Sequence, residues 1–207
     1  EIVNQYRSLP ERESVTNIVY MGMGEPLDNL DAVLDSLAIM TEPWGCAWSP
    51  TRITVSTIGL VARLPRFLEG TRAHLAVSLH SPFEEERNRL MPLTAGNPLA
   101  ELLAILRGAD WHGQRRLTFE YIVFGGLNDT KKHAEALSRL VRGLECRINL
   151  IAFHEVPGSG FPGSGPGALE RFQALLEPSG ARVTIRRSRG LDIRAACGLL
   201  ATEEGAG

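Results

Sequence analysis

Apolar positions along the chain switch repeatedly between two spacings. Short runs rich in β-branched residues alternate with stretches whose apolar residues recur every three or four positions. Residues 15–20 (VTNIVY) predict a buried strand, and a Gly/Pro loop follows. Leu30, Val33, Leu34 and Leu37 then form one helical stripe, with Asp28 or Asn29 able to cap its start. The couplet repeats with a strand at 52–56 (RITVS) and a helix through Val61, Leu64 and Phe67 to Gly70. A strand at 75–78 follows, then a helix opened by Asn97–Pro98 and striped by Leu99, Leu102, Leu103 and Leu106. Residues 117–123 (LTFEYIV) predict a strand, and 130–142 a helix stopped by Gly143. The series closes with a strand at 148–153 (INLIAF), a helix at 169–176 and a strand at 183–187.

Such alternation predicts an α/β fold in which a parallel sheet is covered by helices, doubly wound or a full or partial barrel. Residues 1–207 read as one unit with no internal repeat. The segment 157–167 (PGSGFPGSGPG) is too rich in Gly, Pro and Ser for regular structure and predicts a flexible loop.

Composition adds little to this outline and charge adds more. With 43% hydrophobic and 22% charged residues the chain is ordinary for a globular protein, and no apolar run approaches the roughly 18–20 residues that span a membrane. No signal peptide is visible, which makes the cytoplasm the expected compartment. A net charge of −2 argues against a surface that grips nucleic acid without specificity. Arg115–Arg116 and Lys131–Lys132 read as solvated faces, whereas Arg186, Arg187, Arg189 and Arg194 crowd the end of the last strand. Cys46, Cys146 and Cys197 are far apart in sequence, so the chain contains no CxxC spacing and no metal site is expected in it.

In parallel α/β sheets ligands bind at the carboxyl ends of the strands. Those ends carry Gly22–Met23–Gly24–Glu25–Pro26, Ser56–Thr57–Ile58–Gly59, Ser78–Leu79–His80, Gly125 to Asp129, and Phe153–His154–Glu155. Each has an ordinary explanation: a turn, a helix cap, a satisfied histidine. Their collection on one predicted edge points to a site. Cys197, just beyond the arginine run, is either a small buried residue or a thiol activated by the positive charge of Arg187, Arg189 and Arg194, which could also hold RNA phosphate.

These motifs, together with Ser81–Pro82, Arg87–Asn88–Arg89 to Pro92, Phe119–Glu120–Tyr121, Ile148–Asn149–Leu150–Ile151 and Arg189–Gly190 to Gly198, resemble the radical S-adenosylmethionine (SAM) adenine methyltransferases of ribosomal and transfer RNA. The match runs in order over nearly the whole chain. It implies a TIM-like partial barrel of the radical SAM type, with the first strand and the cluster-binding loop missing. It also implies SAM binding by Gly24 and Glu25 (amino acid portion), Ser56, Ser78, Leu79 and His80, and by His154 where the family often has Asn. Leu191 and Leu199 stand where the family commonly has polar residues. Cys197 matches the thiol that accepts a methyl group from one SAM. A second SAM, bound to a [4Fe–4S] cluster, gives the radical that activates that methyl group towards adenine.

The family's CxxxCxxC loop, its upstream resolving cysteine and its N-terminal RNA-binding domain are not in this sequence. A fragment of a longer product, or a truncated copy inactive as it stands, is therefore expected. For the complete form the resemblance implies methylation of carbon 2 of a 23S rRNA adenine, with transfer RNA a possible second substrate. Its partners are an electron donor such as flavodoxin or ferredoxin, and a monomer is expected. The wording GMGEPLDN leans to that branch over the relatives that methylate carbon 8 and confer antibiotic resistance. Two rivals stand beside it. A TIM-like aldolase or isomerase is disfavoured because the only lysines, Lys131 and Lys132, sit on a predicted exposed helix. A barrel that binds SAM or RNA without chemistry fits the missing cysteines.

Overall fold

The computed structural model describes residues 1–22, 24–154 and 160–186. Six strands, β1 (Ile18–Tyr20), β2 (Ile53–Thr57), β3 (His74–Ser78), β4 (Leu117–Val123), β5 (Cys146–Ala152) and β6 (Arg182–Arg186), form one sheet in the order of the sequence. Every neighbouring pair is parallel. Parallel crossovers are right-handed, so an unbroken strand order places all the crossover helices on one side. A doubly wound sheet needs a reversal of order. None occurs here, and the sheet is a section of barrel wall, open between β1 and β6 among the described residues.

Among the described residues the α-helices are α1 (Ile2–Arg7), α2 (Leu30–Thr41), α3 (Leu64–Gly70), α4 (Glu84–Leu90), α5 (Leu99–Gly108), α6 (Lys131–Val141) and α7 (Ala168–Leu176). The apolar stripes read from the sequence are the faces they bury. Leu30, Val33 and Leu37 of α2, Leu99, Leu102 and Leu106 of α5, and Leu137 of α6 join Phe67 and Phe172 in one core. The strands meet this core with alternate residues: Ile53 and Val55, Leu75 and Val77, Phe119 and Tyr121, Ile148 and Leu150. The opposite face is mainly polar, with Ala76, Ile122 and Ile151 as apolar members. By register it carries Thr54 and Ser56, Ser78, Thr118 and Glu120, Arg147 and Asn149, then Thr184 and Arg186.

Several local expectations change. The first strand begins at Ile18 rather than at residue 15, and α1 and α4 have no counterpart in the periodicity. α1 has only six residues, and α4 (EEERNRL) carries no apolar stripe. The cap of the first crossover is neither Asp28 nor Asn29. Residues Pro26–Asn29 form a 3₁₀ turn capped by Glu25, and Asn29 makes no side-chain cap bond to α2. Pro98 is the N-cap of α5 rather than its first residue, and the Leu99 N–H is taken by the Glu84 carboxylate at 2.7 Å.

Arg115 is buried rather than solvated. It donates to Ala73 O (3.2 Å) and Leu68 O (2.9 Å) and stacks on Trp111. The described part of the Gly-rich segment is tied to the sheet. Ser164 N–H donates to Phe153 O (3.0 Å), and Phe153 N–H returns a bond to Ser164 Oγ (2.9 Å). A Cβ on Gly125 would lie 2.6 Å from Gly163 O, so the two glycine-rich loops pack backbone to backbone.

Leu102 is fully buried, and its methyl groups lie where a Cβ on Gly59 would fall. Leu102→Ala is expected to lower stability by about 2–5 kcal/mol through lost contacts and a residual cavity. The shift in the urea unfolding midpoint measures it.

Candidate functional site

The carboxyl ends of β1 to β5 meet at one rim, and buried polar side chains hold it together. Glu25 follows β1 with Gly24 beside it at φ +89°, a conformation open to glycine at little cost. Its Oε1 accepts from Leu27 N–H (2.9 Å) and Thr57 Oγ1 (2.6 Å), and Oε2 accepts from Ile58 N–H (2.8 Å). Thr57 Oγ1 in turn accepts from Gly59 N–H at 2.9 Å. Three of the roughly four acceptor positions of this carboxylate are thus taken by the protein. Glu25 ties the loop after β1 to the loop after β2. Thr57, which the motif reading left as a helix cap, is the hinge of that tie.

His80, at the end of β3, is a non-glycine residue at φ +57° and is buried. Such strain persists only where the surroundings enforce it. Asn128 enforces it. This fully buried side chain donates to His80 O (2.7 Å) and Ile122 O (2.7 Å) and accepts from Phe124 N–H (2.8 Å), while its backbone carbonyl accepts from Tyr121 OH (2.7 Å). His80 Nδ1 accepts from Ile122 N–H at 3.1 Å, so the neutral ring carries its proton on Nε2 as a donor. Burial, helped by the charge of Arg87, pushes the His80 pKa down to about 4. Arg87 is itself fully buried and donates to Ile58 O, to Ser78 O (3.4 Å) and to Asn97 O (3.4 Å), clamping the ends of β2 and β3.

Ser56 and Ser78 lie on the polar face of the sheet, close below this rim. Leu79 points its side chain into the apolar core and offers a ligand only its backbone, of which the N–H already donates to Glu120 O (3.0 Å). His154 stands two residues beyond β5 and is half-buried. Gly24, Glu25, Ser56, Ser78 and His80 are therefore brought to one end of the sheet. Cys197, Arg187, Arg189 and Arg194 lie outside the described residues, as does the terminal loop expected near 186–200 beyond Arg186. A cavity of about 880 Å³ runs along β1, lined by Tyr6, Val19, Tyr20, Gly24 and Glu25 among others. It touches none of Ser56, Ser78 or His80, so it is a groove at the sheet edge rather than the polar face.

Comparison with known proteins places this arrangement. No family model matches the chain. A protein of Porphyromonas gingivalis strain W83 named as a probable dual-specificity RNA methyltransferase RlmN is 54% identical over 204 residues, which is 99% of this chain and 60% of that protein. The dual-specificity RNA methyltransferase RlmN of Anaeromyxobacter dehalogenans is 45% identical over 193 residues, covering 93% of this chain and 52% of the relative. A crystal structure of a radical SAM methyltransferase from Sphaerobacter thermophilus superposes with a TM-score of 0.89 at 41% identity, over 96% of this chain and 60% of that one. Over nearly its whole length the chain is similar to RlmN-type radical SAM methyltransferases. It spans about 60% of the length of the P. gingivalis relative. A domain of a pyruvate-formate lyase-activating enzyme, at 16% identity and a TM-score of 0.64, shares the fold alone.

The described residues also show what the barrel wall does not hold. No group of three His, Cys, Asp or Glu side chains among them could bind a metal ion. Cys46 and Cys146 are half-buried, packed against the core, and burial raises the Cys146 thiol to about 11. Cys146 therefore lacks the character of a reactive or metal-binding thiolate.

Two outcomes follow from the rim. Asn128→Ala leaves His80 O, Ile122 O and Phe124 N–H without their partner, and each buried orphan costs ~1–3 kcal/mol. A clear drop in thermal midpoint is expected, and an unchanged midpoint would contradict the clamp. His80 has a folded pKa below its unfolded value, so it binds fewer protons folded than unfolded as the pH falls. Its contribution is full above about pH 6.5 and is lost towards about pH 4, in total on the order of 3 kcal/mol. Urea unfolding between those pH values should show the loss, and His80→Gln should flatten it.

Proposed function

We propose that this chain is the barrel portion of an enzyme that methylates carbon 2 of an adenine in 23S ribosomal RNA, with transfer RNA a second substrate. Homology to RlmN over 99% of the chain supports the reading. The observation that carries it is the polar inner face ending in Gly24, Ser56, Ser78 and His80 at one rim. These residues fit SAM. Gly24 leaves its backbone open, since a Cβ there would meet nothing within 4 Å. Ser56 and Ser78 offer hydroxyls, and the Nε2–H of His80 is a donor whose direction is locked by Ile122 and Asn128. Glu25 acts chiefly by fixing the loop that carries Gly24, with one acceptor position left for the amino group of a ligand.

SAM when bound supplies both the methyl group and the radical chemistry that an electron-poor adenine carbon requires. The chain's own part is to orient that ligand and to keep His80 neutral. Cys197 is the methyl acceptor in this reading, with Arg187, Arg189 and Arg194 lowering its pKa and contacting RNA phosphate. The described residues offer no ligand set that fits a [4Fe–4S] cluster. In this reading the cluster's thiolates come from outside the described residues, electrons come from a flavodoxin or ferredoxin, and the enzyme works as a cytoplasmic monomer. No helix among the described residues is long and apolar enough to cross a membrane.

The test uses the longer polypeptide that contains this chain, with SAM, a reductant and a 23S rRNA fragment, followed by mass spectrometry of the digested nucleosides. The expected product is 2-methyladenosine, and Cys197→Ala abolishes it. Product methylated at carbon 8, or methylation that survives Cys197→Ala, would overturn the reading. Residues 1–207 alone are expected to give no product.

A further inference from the structure

One carboxylate on the inner face plays no part in the rim clamps. Glu120, in the middle of β4, is only 6% exposed. Register places it beside Ser78 of β3 and Asn149 of β5, on the face turned away from the helices. Asn149 Nδ2 donates to Glu120 Oε1 at 3.0 Å, and Thr184 Oγ1 of β6 donates to Asn149 Oδ1. The row is therefore polarised. Thr184 fixes which end of the Asn149 amide faces Glu120, and Asn149 fixes the rotation of the carboxylate. Glu120 Oε2 is buried and has no hydrogen-bond partner among the described residues.

A buried, oriented, unsatisfied carboxylate oxygen carries a desolvation cost that a folded protein rarely leaves uncompensated. Burial raises the pKa of this group, with Asn149 and the charge of Arg186 acting in the opposite sense. Thr184 and Arg186 belong to β6, the last described strand, so this row spans three strands towards the open side of the sheet. The aliphatic residues that pack the core lie on the opposite face and offer it nothing. What would satisfy Oε2 is an N–H donor brought in by a guest.

We infer that Glu120, held by Asn149 and Thr184, is a ligand-binding residue whose Oε2 accepts the exocyclic amine of an adenine lodged inside the barrel. The inference rests on the reading of this site as that of a SAM-dependent RNA adenine methyltransferase. That reading supplies an adenine from two sources, SAM and the RNA. A carboxylate oxygen accepts from an amine and repels the ring nitrogens, so it selects adenine over a purine that carries a carbonyl at that position.

Glu120→Gln keeps the size and can still accept from Asn149, but it presents an NH₂ group to the ligand in place of Oε2. In the longer polypeptide the affinity for SAM alone (equilibrium dialysis) and for the 23S rRNA fragment alone (fluorescence anisotropy) is measured for wild type and variant, with the thermal midpoint as control. A loss of tenfold or more in one of the two, at unchanged midpoint, is expected, and the ligand that weakens identifies the adenine. Should the Gln variant fail to fold, Glu120→Asp retracts the oxygen by one methylene and is expected to lose the same ligand. Wild-type affinity for both ligands in a folded variant overturns the inference while leaving the methyltransferase reading intact. Wild type that binds neither SAM nor RNA overturns both.

Discussion

Where a row of parallel strands ends, the last N–H and C=O groups of each strand lose their ladder partners, yet here they remain buried. Leaving such groups unpaired is costly. Glu25 takes the N–H groups of Leu27 and Ile58, Arg87 takes the carbonyls of Ile58 and Ser78, and Asn128 takes those of His80 and Ile122. The rest of the site depends on this substitution of side chains for ladder. It lets the ends of four strands, β1 to β4, converge, and it holds His80 at a positive φ that the backbone alone would abandon.

The same economy explains the division between the two faces. The helices absorb one set of alternate strand residues into a single apolar core. The inner set is then free of packing duty and can be chosen for chemistry. Residues that read as functional from their position alone turn out to share the work of holding the rim. Glu25 and His80 hold the rim, and in the proposed function they also meet the ligand. On that proposal a substitution at either moves folding and binding together.

The fold was legible because its signals are local. Each strand of three to seven residues, and each helix long enough to show two turns of stripe, announced itself by period. The short α4 did not, since EEERNRL reads as a charged surface, although its Arg87 is fully buried. The site was legible in part. Glycines, serines and histidines at strand ends marked the rim, and family motifs gave Gly24, Ser56, Ser78 and His80 their expected roles. What sequence could not supply was direction. Nothing in FEY says that Glu120 faces inward while Phe119 and Tyr121 face the helices; only the register with Ser78 and Asn149 does. Nor does a run of two arginines reveal that Arg115 serves carbonyls at the opposite end of the sheet.

The unbroken strand order also governs how the molecule comes into being. Each strand is laid against the one made just before it, and the segment between them folds into the helices that cover the new edge. During synthesis the sheet therefore grows at one margin only, with every emerging strand meeting a partner already in place. A reversal of order would instead require an early edge to wait, bare, for residues made much later. Progressive growth keeps unpaired edges few and brief, which protects a parallel sheet during the stage when it is most prone to aggregate.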